Sequence, residues 1–225
     1  MRSTWRTLDP SLLRDVAAVA AGAAVSGASF GAISTGAGLA WWVPVLMSLL
    51  VFAGGSQFMA VGVVTAGGSP AAAVLAGLLL NVRHLPFGLA VGDVIGRGLL
   101  QRLVGSHLLI DESTAFALAQ SDPRRAKAAY WACGATLFFA WNAAVVAGAL
   151  VGRNIGDPNA FGLDAAFPAA LLALLLPALK DRATRHAALL GAALALATTP
   201  FLPAGVPVLF ALGGLLVTAR QRVRA

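Results

Sequence analysis

The chain has 225 residues, of which 59% are hydrophobic and 11% charged; soluble domains run nearer about 45–50% and about 25%. So little charge leaves no polar face for water, which excludes a soluble globular protein and indicates one integral membrane domain over residues 1–225. The net charge of +7 does not indicate nucleic-acid binding, because the Arg and Lys residues cluster between apolar runs and no aromatic-basic surface motif accompanies them.

Apolar segments are predicted at 13–37, 42–66, 70–92, 103–120, 127–152, 162–179 and 186–219. Breaks carrying Gly, Pro or charge separate them: Gly36-Ala37-Gly38, Gly67-Gly68-Ser69-Pro70, Ser121-Asp122-Pro123, Asp157-Pro158-Asn159 and Lys180-Asp181-Arg182. Thr199-Pro200 and Pro203 divide the last segment, which is too long for one span, into a C-terminal helical pair over 186–219. The expected fold is all-α: a polytopic membrane protein of seven to eight transmembrane helices. Arg2, Arg6 and Arg14 precede the first span, and its apolar run exceeds a signal h-region, so it reads as retained.

Charge arbitrates between the two counts. Eight crossings with a cytoplasmic N-terminus put three basic clusters inside: Arg124-Arg125-Lys127, Lys180-Arg182-Arg185 and Arg220-Arg222-Arg224. Arg97 and Arg102 then fall outside, against the same rule. Seven crossings strand the three C-terminal arginines. The halves 13–92 and 103–180 resemble each other: Ser48–Ala53 is similar to Ala135–Ala140, and Leu78-Leu79-Leu80 to Leu174-Leu175-Leu176. Three spans per half make such repeats inverted, an arrangement common in secondary transporters; Ala/Leu-rich spans also match one another by chance.

The most informative residues are Asn81-Val82-Arg83-His84, at the midpoint of the 70–92 segment. Polar and charged groups at that depth cost several kcal/mol unless paired, and usually mark a permeation path. In one continuous helix Asn81 and His84 share a face, while Pro86 frees the Val82 carbonyl and kinks the helix. The bland alternative is an ion pair that ties two helices together. The expected counter-charge is Asp111-Glu112-Ser113-Thr114, central to 103–120, with Asp111 and Thr114 on one face. The alternative for 103–120 is an interfacial amphipathic helix with its acids in water. Asp111, Glu112 and His84 are the groups able to carry a coupling proton.

Gly54-Gly55-Ser56-Gln57, mid-way through 42–66, is a second candidate: two glycines weaken the helix, and Ser56 and Gln57 bring polar groups to the opening. Gln57 as a plain interhelical hydrogen bond is the alternative. Trp141-Asn142 sits at the related place of the second half, either lining an apolar pocket or simply packing. Trp41 and Trp42 read as interface anchors. His107 and His186 read as solvated, and Cys133 as a small packing residue. Three scattered His and one Cys give no metal spacing, and the glycine runs are not nucleotide loops. No hydrolase constellation and no cofactor motif appears.

Taken together, Phe30-Gly31-Ala32, Met47 to Phe58, Asn81-Val82-Arg83-His84 and Asp111-Glu112-Ser113 resemble the AzlC family, the large subunit of branched-chain amino acid exporters. The match extends through Trp141 and Gly162-Leu163-Asp164. The first span lacks a proline associated with the family, and His84 is followed by Leu-Pro-Phe, which bears on substrate range. The resemblance implies a bacterial inner-membrane exporter of leucine, isoleucine and valine, with a small AzlD-like membrane subunit as partner. The residues themselves agree in class. A zwitterion needs a carboxylate partner such as Arg83, an ammonium partner such as Asp111 or Glu112, and an apolar lining; Ser56, Gln57, Asn81, Trp141 and Asn142 complete the candidate contacts. A membrane subunit that organises a partner without transporting, and a small-solute channel, are the competing readings.

Overall fold

The computed structural model describes residues 9–153, 172, 176, 178–203 and 206–215, and every regular element among them is helical. The expected span at 162–179 lies almost wholly outside the described residues, as do Gly162-Leu163-Asp164, the Asp157-Pro158-Asn159 break, Arg2, Arg6 and the three C-terminal arginines. The helices are α1 (Pro10–Gly36), α2 (Trp42–Leu50), α3 (Gly54–Thr65), α4 (Pro70–Asn81), α5 (His84–Ile95), α6 (Leu99–His107), α7 (Asp111–Leu118), α8 (Pro123–Gly152), α9 (Arg182–Thr198) and the short α10 (Val206–Phe210). Among the described residues α1 and α8 alone are single helices long and apolar enough to cross a bilayer; α4 and α5 have the length and apolarity of one interrupted span.

Local chemistry sets the ends of the long helices. Asp9 and Asp122 are N-caps followed by Pro10 and Pro123 at the first helical position, where a missing N–H costs nothing. The Asp122 carboxylate accepts from the N–H groups of Arg124 and Arg125 at 2.8 and 2.9 Å. The α1 C-terminus closes in a Schellman motif: Gly38, at φ 92°, donates to Thr35 O at 3.0 Å, and Leu39 donates to Ser34 O at 3.1 Å. Gly67, at φ 83°, ends α3 the same way.

Contacts gather the chain into two units, residues 1–54 with 81–164 and residues 55–80 with 165–225. In the first, α1 and α8 form the most extensive helix pair. They run parallel, with Asp9 3.6 Å from Arg125 near one end and Gly152 against Ala32 near the other. The seam is two facing small-residue motifs, Gly27-xxx-Gly31 and Gly148-xxx-Gly152. A Cβ on Gly27 would lie 2.9 Å from Trp141 O, one on Gly31 would lie 2.6 Å from Ala149 N, and one on Gly148 would lie 2.8 Å from Ala28 Cα. In lipid, where burial supplies little drive between helices, such close backbone approach is what holds a pair. Ser34 and Thr35 are buried there at no polar cost, because their hydroxyls donate to the carbonyls of Phe30 (2.7 Å) and Gly31 (3.0 Å).

Three expected single spans are instead interrupted: 42–66 at Val51-Phe52-Ala53, 70–92 at Val82-Arg83, and 103–120 at Leu108-Leu109-Ile110. α2 runs antiparallel to α8, with Ser48 on Asn142 and Phe52 on Phe138. The 103–120 segment is neither one span nor one interfacial helix. It is two helices that run in opposite directions beside the N-terminal half of α8: α7 packs on α8, and α6 packs on α5 and reaches α8 at Gly105. Going along α6, the Gln101 amide approaches Gly96, itself beside Lys127; Gly105 accepts from Tyr130 OH at 2.7 Å; and Leu108 meets Gly134. Returning along α7, Ser113 again meets Gly134, and Ala117 packs in a cluster with Tyr130, Val91, Ile95 and Leu109.

In the second unit, Val63, Ala73 and Ala76 join α3 to α4. α9 is capped by Asp181, whose carboxylate accepts from the Thr184 N–H at 2.7 Å and its hydroxyl at 2.8 Å. It ends at Thr198, just before Pro200, and the chain returns so that Gly191 meets Ala211 and Gly214 meets Ala187. This is the helical pair that the two prolines announce.

Candidate functional site

The polar run at the middle of 70–92 lies at a helix end rather than within a helix. α4 stops at Asn81, and Arg83 is the N-cap of α5, with φ −56° and ψ −24°. Pro86 therefore does not kink a continuous helix. It is the third residue of α5, in the first turn, where backbone N–H groups have no helical partner to lose. Nor is the Val82 carbonyl free: it accepts from the Leu85 N–H at 3.0 Å. The Asn81 carbonyl lies 3.0 Å from His84 Nδ1, and a carbonyl can only accept, so this contact places the ring hydrogen on Nδ1. The His84 ring then meets Phe87 edge-on at 6.1 Å.

Arg83 Nη1 donates to Asp111 Oδ2 at 2.8 Å, and the two side chains are 31% and 29% exposed. Asp111 is the first residue of α7, so the carboxylate sits at the positive end of a helix dipole as well as beside a guanidinium. Ser113 shapes the turn that delivers it. Its Oγ accepts from the Ile110 N–H at 3.1 Å and lies 2.9 Å from Leu108 O and 3.1 Å from Ile110 O, either of which takes its hydrogen. Glu112 follows, half-buried, and makes no ion pair among the described residues.

The pair leaves hydrogen-bonding capacity over. Arg83 Nε, Asp111 Oδ1, Asn81 Oδ1 and Thr114 Oγ1 are buried atoms with no partner among the described residues. Thr114 is itself 4% exposed. Buried polar atoms left unbonded each cost about 1–3 kcal/mol. Two of these atoms, Arg83 Nε and Asp111 Oδ1, belong to the ion pair itself, and Asn81 and Thr114 lie two and three residues from its members along the chain.

Trp141 and Asn142 have definite structural work nearby on α8. A Cβ on Gly54 would lie 2.7 Å from Trp141 Cη2, so only glycine lets the chain pass the indole face there. Trp141 also stacks on Phe30, with centroids 6.3 Å apart. Asn142 accepts from the Ser48 hydroxyl at 2.6 Å and donates to Phe138 O at 2.8 Å, which pins α2 to α8. Ser56 and Gln57 lie on α3 in the second unit, both buried.

Sequence reasoning missed an aromatic cluster. His107, expected to be solvated, is half-buried, with Phe52 at 6.4 Å and Phe138 at 5.5 Å, and the two phenyl rings meet at 5.2 Å. Nothing in the local sequence around position 107 reveals this, since all three contacts are long-range. The Ser48–Asn142 pair was more accessible, because a polar residue inside each of two apolar runs calls for a partner across helices. Among the described residues no group of three or more His, Cys, Asp or Glu is placed to hold a metal ion.

The sequence model of one family, AzlC protein, matches residues 18–155. The branched-chain amino acid transport protein AzlC of Bacillus subtilis (strain 168) is 25% identical over 206 residues, covering 87% of this chain and 78% of that protein. No solved structure matches the chain. The matched region includes the Arg83–Asp111 contact, the α1–α8 seam and the three interruptions at 51–53, 82–83 and 108–110. The chain is thus an all-helical membrane protein that belongs to the AzlC family.

Proposed function

We propose that this protein is the transporting subunit of a secondary exporter of branched-chain amino acids in the bacterial inner membrane, working with a small AzlD-like membrane subunit. The observation that carries the reading is the Arg83–Asp111 contact at two helix ends, with buried polar atoms left without partners on the pair itself and on Asn81 and Thr114, its neighbours in sequence. A zwitterion supplies both charges that this contact can bind. Its carboxylate suits Arg83, its ammonium suits Asp111, and the Asn81 and Thr114 oxygens accept further ammonium hydrogens. The name of the Bacillus subtilis relative supports the substrate class. Asp111, Glu112 and His84 are the residues assigned to proton coupling, and Trp141 and Asn142 to the frame of the site.

Counterflow in proteoliposomes tests this. The chain, reconstituted with and without the small subunit, should exchange labelled for unlabelled leucine, and Arg83→Ala should abolish exchange while the protein still inserts and purifies. Normal leucine exchange by Arg83→Ala would falsify the role assigned to Arg83. A subunit that only organises a partner shows no exchange under either condition. A channel passes leucine without acceleration by substrate on the far side.

A further inference from the structure

We infer that α6 and α7 form a re-entrant hairpin that enters and leaves the bilayer from one side and carries Asp111 to mid-depth. Helix α8, rising about 1.5 Å per residue, gives the level of each contact. Gly96 and Gln101 lie at the level of Lys127, and Gly105 at that of Tyr130. The far end of α6 lies between Gly134 and Phe138, through Leu108 and His107. α7 starts at the same depth, where Ser113 meets Gly134, and Ala117 shares a buried cluster with Tyr130, Leu109 and α5. Pro123 then opens α8 only five residues after the end of α7.

From Lys127 to Phe138 is 11 residues of helix, or about 16 Å, roughly half of a hydrocarbon core about 30 Å thick. α6 has 9 residues and α7 has 8, so neither can cross alone. The non-helical tip, Leu108-Leu109-Ile110, is wholly buried in protein, the condition under which broken backbone is tolerated at membrane depth. Ser113 satisfies part of its backbone polarity, and Tyr130 binds the Gly105 carbonyl in the last turn of α6.

Two consequences follow. Arg97 and Arg102 come to the same face as Arg124, Arg125 and Lys127, which removes their conflict with the positive-inside rule and makes that face cytoplasmic. The Arg83–Asp111 contact, at the tip, becomes a mid-bilayer site whose acidic half is borne by an element anchored on the cytoplasmic side alone. The topology does not depend on what the protein transports.

Single cysteines decide it. Arg97→Cys, Ser121→Cys and Arg153→Cys are placed in a Cys133→Ala background and labelled in intact cells and in inverted vesicles with a membrane-impermeant maleimide. If Cys133→Ala does not fold, the native background serves, since the Cys133 thiol is wholly buried. Positions 97 and 121 should both label in inverted vesicles and lose that label when the same face is blocked first, whereas 153 should label in intact cells. Labelling of 97 and 121 from opposite faces overturns the hairpin, because 99–118 then crosses. Failure of either to label from any face also overturns it, since both lie exposed at the surface in this arrangement. Arg102→Cys and Gln120→Cys replace any variant that does not reach the membrane.

Discussion

Replacing Gly31 by alanine tests whether α1 and α8 are held by backbone contact. The added Cβ would sit 2.6 Å from Ala149 N and closer still to Val145 O, both backbone atoms that cannot swing away. Ordinary contact begins near 3.4 Å, so clearing Ala149 N alone parts the helices by about 0.8 Å (3.4 less 2.6), a lower bound. A gap of that size forfeits a quarter to a half of each facing pair's dispersion well. For about 40 facing atom pairs at ~0.15 kcal/mol, the loss is ~1.5–3 kcal/mol, in the range of other overpacked cores. Lipid offers no hydrophobic compensation. Cys133 supplies the assay. It is the sole cysteine and wholly buried on α8, so a thiol-reactive dye reports thermal unfolding in detergent. The expected fall in Tm is roughly 3–12 °C at about 2–4 °C per kcal/mol. Gly22→Ala is the control on the same helix: nothing lies within 4 Å of its Cβ, and the gain in helix propensity makes it neutral or stabilising by up to about 1 kcal/mol. Equal Tm values for Gly31→Ala and Gly22→Ala refute the close-contact seam.

Three further outcomes are expected. In a double-mutant cycle of Arg83→Ala and Asp111→Ala, read by the same dye assay, the coupling should be about 2–4 kcal/mol: about 4 kcal/mol of attraction at an effective dielectric near 20, reduced because both side chains are only partly buried. A coupling near zero means that the two charges do not meet. Gly54→Ala should destabilise the fold by crowding Trp141, and Trp141→Phe should rescue it by removing the Cη2 atom that the new methyl strikes; an unrescued double variant places the clash elsewhere. Asp181, outside the spans, is held below its ordinary 3.8 by the Thr184 N–H and hydroxyl. A lowered folded pKa gives stability that is present above 3.8 and lost as pH falls through the folded value. Asp181→Asn should flatten that acid-side decline in Tm, and an unchanged slope removes the residue from it.

Much of the site was legible because membrane depth makes polar residues conspicuous. Asn81, Arg83 and Asp111 announce themselves inside apolar runs, and a buried cation demands a counter-charge wherever the chain can bring one. Helix caps were equally local: Asp122-Pro123, Asp181 and the Gly36-Ala37-Gly38 terminus each act within a few residues of themselves. The interruptions were not legible. Val51-Phe52-Ala53 and Leu108-Leu109-Ile110 are themselves apolar, and hydropathy counts apolar length without sensing backbone direction; only Gly54-Gly55, just after the first break, marked a weak point nearby. Pro86 was visible but ambiguous, since the same residue kinks a helix interior or opens a new one, depending only on where the preceding helix stops.

By itself, then, the sequence determined an all-helical membrane chain of the AzlC kind and named the charged residues at its centre, because lipid leaves the backbone few choices and punishes unpaired charge. Tertiary contact alone decided that 99–118 turns back, that Asp111 stands at a helix start facing Arg83, and that His107 packs between two phenylalanines. Each of these depends on what α8 offers at a given level, through Gly134, Tyr130 and Phe138, and those meetings are separated by tens of residues along the chain.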